Sequence, residues 1–124
     1  MTDRLAILIA SAGAERPELG ATPLVHALAA HALDAEVEIH FAGPAVRLLV
    51  AGVADSLYAT PSREKSIGDF LREVIAHDIP LYACGMARAG WVDADEALIP
   101  QARAAGATAF VARTLDPAWR SLVY

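Results

Sequence analysis

The chain has 124 residues, a hydrophobic fraction of 56%, 10 basic and 15 acidic side chains, and a formal net charge of −5. That length predicts one domain, residues 1–124, with a single sizeable core. The arginines are scattered from Arg4 to Arg120 without the concentrated basic face that duplex phosphates require, so no nucleic-acid partner is expected. No apolar stretch reaches the roughly 18 residues of a spanning helix, so no membrane partner is expected either.

In chain order, "RLAILIAS" (4–11) is a short continuous apolar run, the pattern of a strand covered on both faces in a parallel sheet. The loop "AGAERPELG" follows, and a helix is predicted from Thr22, a cap placed before Pro23 at the first helical position, through "PLVHALAAHAL". "EVEIHFA" (36–42) alternates, with Val37, Ile39 and Phe41 on one face, and predicts a second strand. A turn at Gly43-Pro44 leads into a short apolar helix, "AVRLLVAG".

"DSLYATPSREKS" (55–66) reads as an exposed loop with a short extended piece near Leu57–Ala59. Ser66 is positioned to cap the helix "IGDFLREVIAHD", whose apolar stripe is Ile67, Phe70, Leu71, Val74 and Ile75, with Asp69 suited to its positive end. "IPLYACG" predicts a strand opened by Pro80. Beyond Gly85 two helical patterns precede a short terminal strand, "SLVY". Gln101–Gly106 suits helix by its alanines and strand by its position between Pro100 and Gly106.

Alternating strands and helices predict a flavodoxin-like, three-layer α/β/α fold with a mostly parallel sheet of about five strands. Ligands in such sheets sit beyond the carboxyl ends of the strands. Three segments should meet there: "SAGAERPEL", "GPAV" and "CGMARAG".

Cys84 is the only cysteine, which excludes an intrachain disulfide and suits a reducing compartment. The opening "MTDRLAILIAS" lacks the length and cleavage pattern of a signal peptide, so a cytoplasmic setting is expected. Two readings of Cys84 stand side by side. As the residue before a helix, it would meet unpaired amides that favour thiolate, with Arg88 four residues on adding positive charge. As a free cysteine it is equally a small hydrophobe suited to a packed interior.

Other chemistries lack their signatures. His26 and His31 are five apart, about 140° around an ideal helix, poor for sharing an ion, and no HxxxH or CxxC spacing occurs, so no metal is expected. The first loop has neither GxGxxG nor GxxxxGK[ST], so no dinucleotide or other cofactor is expected. Ser11 could be fitted to a triad with His31 or His40, but no GxSxG elbow presents it.

Three stretches carry a resemblance: "AILIASAGAERPEL", "ALAAHALDAEVEIHFAGPAVRLLVAGV" and "DFLREVIAHDIPLYACGMARAG". In order and spacing they resemble the DsrE/DsrF-like family of small sulfur-relay proteins, which includes TusD-type subunits, over roughly Leu5 to Gly106. The resemblance implies a flavodoxin-like sheet, a homo-oligomer (trimer or hexamer), and sulfur held as a persulfide on Cys84. It further implies that the amides of Gly85 and Met86, with Arg88, stabilise the thiolate, and that sulfur-donor and sulfur-acceptor proteins are the partners. A sulfurtransferase-like carrier is thus the leading expectation. A non-catalytic oligomeric scaffold with Cys84 packed inside, and a thiol-responsive redox protein, are the other readings.

Overall fold

A computed structural model describes residues 2–124. The first apolar run forms β1 (Arg4–Ile9), and the alternating run forms β2 (Glu36–Phe41). They are followed by β3 (Leu81–Cys84), β4 (Ala102–Ala105) and β5 (Arg120–Val123), which assemble into one all-parallel sheet of five strands in the order β4-β3-β2-β1-β5. The helices are α1 (Glu18–Ala32), α2 (Ile67–Ala76), α3 (Gly85–Trp91) and α4 (Ala107–Leu115), with 3-10 turns at Gly43–Leu49 and Ala54–Ser56. The expected three-layer α/β/α arrangement is present.

Strand order decides how the layers fill. From β1 to β4 each step moves the same way across the sheet, and right-handed crossovers therefore deliver every connection to one face. Ile7, Ile9, Val37, Ile39, Phe41, Leu81 and Ala83 point into that face. There they pack with Leu24, Ala27, Val46, Leu48, Leu49, Ile67, Leu71, Val74 and Ala87 into the main core. Each large side chain buried there contributes roughly 1.5–3 kcal/mol. The return from β4 to β5 runs the opposite way, so its helix, α4, lies on the other face. It covers that face alone, through a small cluster of Ala6, Phe110 and Trp119 with Leu8 beside it.

Local signals explain most element ends. The Ser66 cap is as expected: its hydroxyl accepts from the Asp69 N–H at 3.0 Å, and the Asp69 carboxylate accepts from the Ser66 N–H at 3.0 Å, a complete capping box. α1 and α2 both close with an aspartate in the left-handed region, Asp34 (φ 66°) and Asp78 (φ 58°). In each case the next amide reaches back five residues, Ala35 to Ala30 and Ile79 to Val74, which is the Schellman pattern. Gly43, at φ 53°, makes the turn out of β2 that puts Pro44 at the head of the 3-10 segment.

One expectation changes, and one open segment is decided. α1 begins at Glu18 with Pro17 as its cap residue, so Thr22 and Pro23 lie inside the helix instead of opening it. The early start has Pro17 at the cap and Glu18 in the first turn, and the helix then packs so closely that an added Cβ at Gly20 would stand 3.2 Å from Leu48 Cδ1. The undecided Gln101–Gly106 segment contains β4, paired in register from Leu81↔Ala102 to Cys84↔Ala105. Its alanines are outweighed by the ladder that the edge of β3 offers.

Candidate functional site

All five strands are parallel, so their carboxyl ends share one rim. β3 leads into α3 on the main-core face, whereas its neighbour β4 leads into α4 on the opposite face. Adjacent strands whose chains leave in opposite directions open a crevice, the usual ligand position in α/β sheets. Cys84 ends β3 at that crevice.

The crevice is a pocket of about 170 Å³ lined by Cys84, His40, Phe110, Val111 and the β4–α4 turn Ala105–Ala107, with Leu8, Phe41 and Ala42 behind. Cys84 is half-buried, packed partly against the main core and partly lining this space, and its side chain caps no helix. The head of α4 also faces the pocket. Gly106 is its cap residue and supplies no side-chain acceptor, so the first amides of a nine-residue helix are uncapped beside the thiol.

Of the other residues read from the sequence, Gly85 is the exposed first residue of α3, Met86 is 86% exposed, and Arg88 is exposed in that helix's last turn. None of the three lines the Cys84 pocket. The first-loop and Gly43-Pro44 segments meet α3 in a separate rim hollow, lined by Ser11, Gly13, Arg16, Pro44, Arg47 and Trp91. Ser11 and His40 therefore belong to different hollows. His26 bonds the Tyr124 hydroxyl, and His31 lies against His77 with ring centroids 4.5 Å apart. Among the described residues no group of three or more His, Cys, Asp or Glu side chains could hold a metal. No helix in the described residues is long and apolar enough to cross a membrane.

The sheet face under α4 carries a buried polar chain that the sequence reading did not assemble. Glu38 and His40 alternate on β2, are 5% and 6% exposed, and are joined by a 2.9 Å bond from His40 Nε2 to Glu38 Oε1. Arg113, on α4, donates from Nε to Glu38 Oε1 at 2.8 Å and from a terminal nitrogen to Oε2 at 3.3 Å, and stacks over Trp119. Burial pushes the Glu38 carboxyl up, but the hydrogen bonds and charges of Arg113 and His40 outweigh it and hold the group below the usual carboxylate range. His40 is also sandwiched, stacked on Tyr82 at 5.0 Å and edge-on to Phe110 at 5.3 Å. The legible signal was "EVEIHF": an acid and an imidazole on one face of a central strand require a partner, and here it comes from α4.

Comparisons with known proteins agree with this architecture. No curated protein sequence matches the chain. The chain's structure is similar to the crystal structure of the ychN protein from E. coli, with a TM-score of 0.77 over 100% of both chains and 16% sequence identity. The sequence model of the DsrE/DsrF-like family matches residues 4–124. With nearly the whole length matched and the fold in common, the chain belongs to the DsrE/DsrF-like family.

Proposed function

We propose that this protein is a small sulfur carrier, sulfurtransferase-like in its chemistry, that holds sulfur as a persulfide on Cys84. The Cys84 thiolate attacks the outer sulfur of a donor persulfide. A bond forms between Sγ and that sulfur, the donor's S–S bond breaks, and its electron pair leaves on the donor thiolate, which takes up a proton. The reverse attack by an acceptor thiol unloads the sulfur, so one cysteine suffices and no oxidant is consumed.

The observation that carries the reading is the position of the chain's only cysteine: half-exposed in a pocket at the crevice between β3 and β4. The uncapped amides at the head of α4 supply the positive end that a thiolate or persulfide anion favours. Gly85 and Met86 add the first amides of α3, and Arg88 adds positive charge from the exposed side of that helix. In this reading donor and acceptor proteins are the partners, and the compartment is the cytoplasm, where a lone thiol stays free. The same reading makes the chain a homo-oligomer, trimer or hexamer, and the exposed apolar side chains Val111, Leu115, Leu122 and Val123 support such an assembly.

A second reading, a scaffold in which Cys84 is inert, is favoured by the contact of that side chain with the main core. Intact mass after incubation with a low-molecular-weight persulfide donor separates the two. The carrier gains one sulfur, removable by reductant and missing in Cys84→Ser. No gain, with the thiol unreactive to alkylation until the protein is unfolded, would establish the scaffold.

A further inference from the structure

Cys84 has a second ionisable group in its pocket. Parallel register pairs His40 with Tyr82, and Cys84 stands two residues further along β3. Strands about 4.8 Å apart, rising about 3.3 Å per residue, put the two Cα atoms about 8 Å apart, close enough for an imidazole and a thiol to meet. Both side chains line the same space.

Orientation of the ring follows from its other partners. The Glu38 carboxylate, doubly bonded by Arg113, can only accept, so the proton of a neutral His40 ring sits on Nε2 and the lone pair on Nδ1. Nδ1 makes no hydrogen bond among the described residues. No fully buried side-chain nitrogen or oxygen there lacks a partner, so Nδ1 keeps some exposure, and His40 lines the pocket that Cys84 lines. The stacking on Tyr82 and the edge of Phe110 keeps the ring from turning away. A histidine 6% exposed, given its polarity by an acid and its orientation by two aromatics, is arranged for more than packing.

We propose that His40 accepts the Cys84 thiol proton and that Glu38, anchored by Arg113, is the residue that positions it. The use made of the thiolate rests on the carrier reading. The proton passes from Sγ to Nδ1 as the nucleophile forms. It then passes to the donor's leaving thiolate once the donor S–S bond has broken, so charge and protons balance within one transfer. The charged and titratable groups facing His40 are Glu38 on its own strand, Tyr82 and Cys84 on β3, and Arg113 on α4.

The test is the pH profile of Cys84 alkylation by a neutral reagent, followed by mass from about pH 5 to about pH 10, for the wild type, His40→Gln and Glu38→Gln, beside persulfide loading of the same samples. Gln preserves a donor toward Glu38 but cannot take a proton. The wild type should show a two-step profile, and His40→Gln a single thiol step with a rate about tenfold or more lower near neutrality. Glu38→Gln should move the lower step without removing it. Superimposable wild-type and His40→Gln profiles, with persulfide loading intact, would overturn the role of His40 and leave the carrier standing. Changed profiles with no loading would retain the proton transfer and remove the carrier. Urea transitions establish that each variant is folded; if His40→Gln is not, an unchanged Glu38→Gln profile overturns the proposal.

Discussion

Arg113→Met is the most informative perturbation of the polar chain beneath α4. Methionine keeps the aliphatic stem over Trp119 but removes both bonds to Glu38, at 2.8 and 3.3 Å, and the guanidinium 4.1 Å above the indole. The Glu38 side chain is 6% exposed and retains only His40. Stripping one partner from a buried pair costs about 3–5 kcal/mol, but the Arg113 side chain is 38% exposed and water can partly take its place. Even with about 0.5–1 kcal/mol lost from the cation–π contact, the expected destabilisation is about 2–3 kcal/mol. At a urea slope of about 2 kcal/mol/M, the midpoint should fall by about 1–1.5 M.

The pH dependence supplies the sharper criterion. In the wild type Glu38 is held low, so its contribution to stability is present above the unfolded carboxyl value of about 4.3 and is lost as pH falls through the lower folded value. Without Arg113, burial outweighs the one remaining hydrogen bond and the folded carboxyl rises above the unfolded value. Its charge then destabilises the fold at neutral pH, and protonation relieves it. The difference between variant and wild type, measured by urea unfolding, should therefore be largest near pH 7 and shrink toward about pH 4. A deficit independent of pH, or one below about 0.5 kcal/mol, would refute the account of Glu38 as a buried carboxylate held by Arg113.

Three further stability predictions rest on backbone geometry. At Gly68, an added Cβ would collide with Asp55 Oδ1 and stand 3.0 Å from the Asp55 backbone, so Gly68→Ala must part α2 from the Ala54–Ser56 turn. The strain exceeds the gain in helix propensity, and a loss of about 1–2 kcal/mol is expected. At Gly90, in α3, nothing lies within 4 Å, and Gly90→Ala should gain about 0.5–1 kcal/mol. Thermal melts of the two variants should move in opposite directions; equal shifts would contradict the packing at Asp55. Asp78→Gly, which relieves the left-handed residue closing α2, should gain about 1 kcal/mol, and a loss in urea unfolding would mean that the aspartate makes a stabilising contact.

The strands β1, β2 and β3 and the capped start of α2 were legible because their signals are local. Apolar runs and alternation at "RLAILI", "EVEIHF" and "LYAC" follow from side-chain period, and Ser66 with Asp69 form a box three residues apart. Cys84 at a strand end was equally plain. "QARAAG" was not, because an alanine-rich segment takes strand form only when a neighbouring strand edge is there to pair with it. The start of α1 was missed for a different reason: two local start signals compete, Pro17-Glu18 and Thr22-Pro23, and the helix begins at the earlier one.

By itself the sequence determined an α/β chain with one thiol at a rim, since hydrophobic period, caps and the identity of Cys84 are properties of short stretches. Only the tertiary structure decided the strand order, and with it that α4 alone covers the second face. It thereby brought Arg113 to Glu38 across 75 residues and His40 into the pocket of Cys84. The physical reason is that crossover handedness and long-range pairing select among arrangements that local periodicity leaves equivalent.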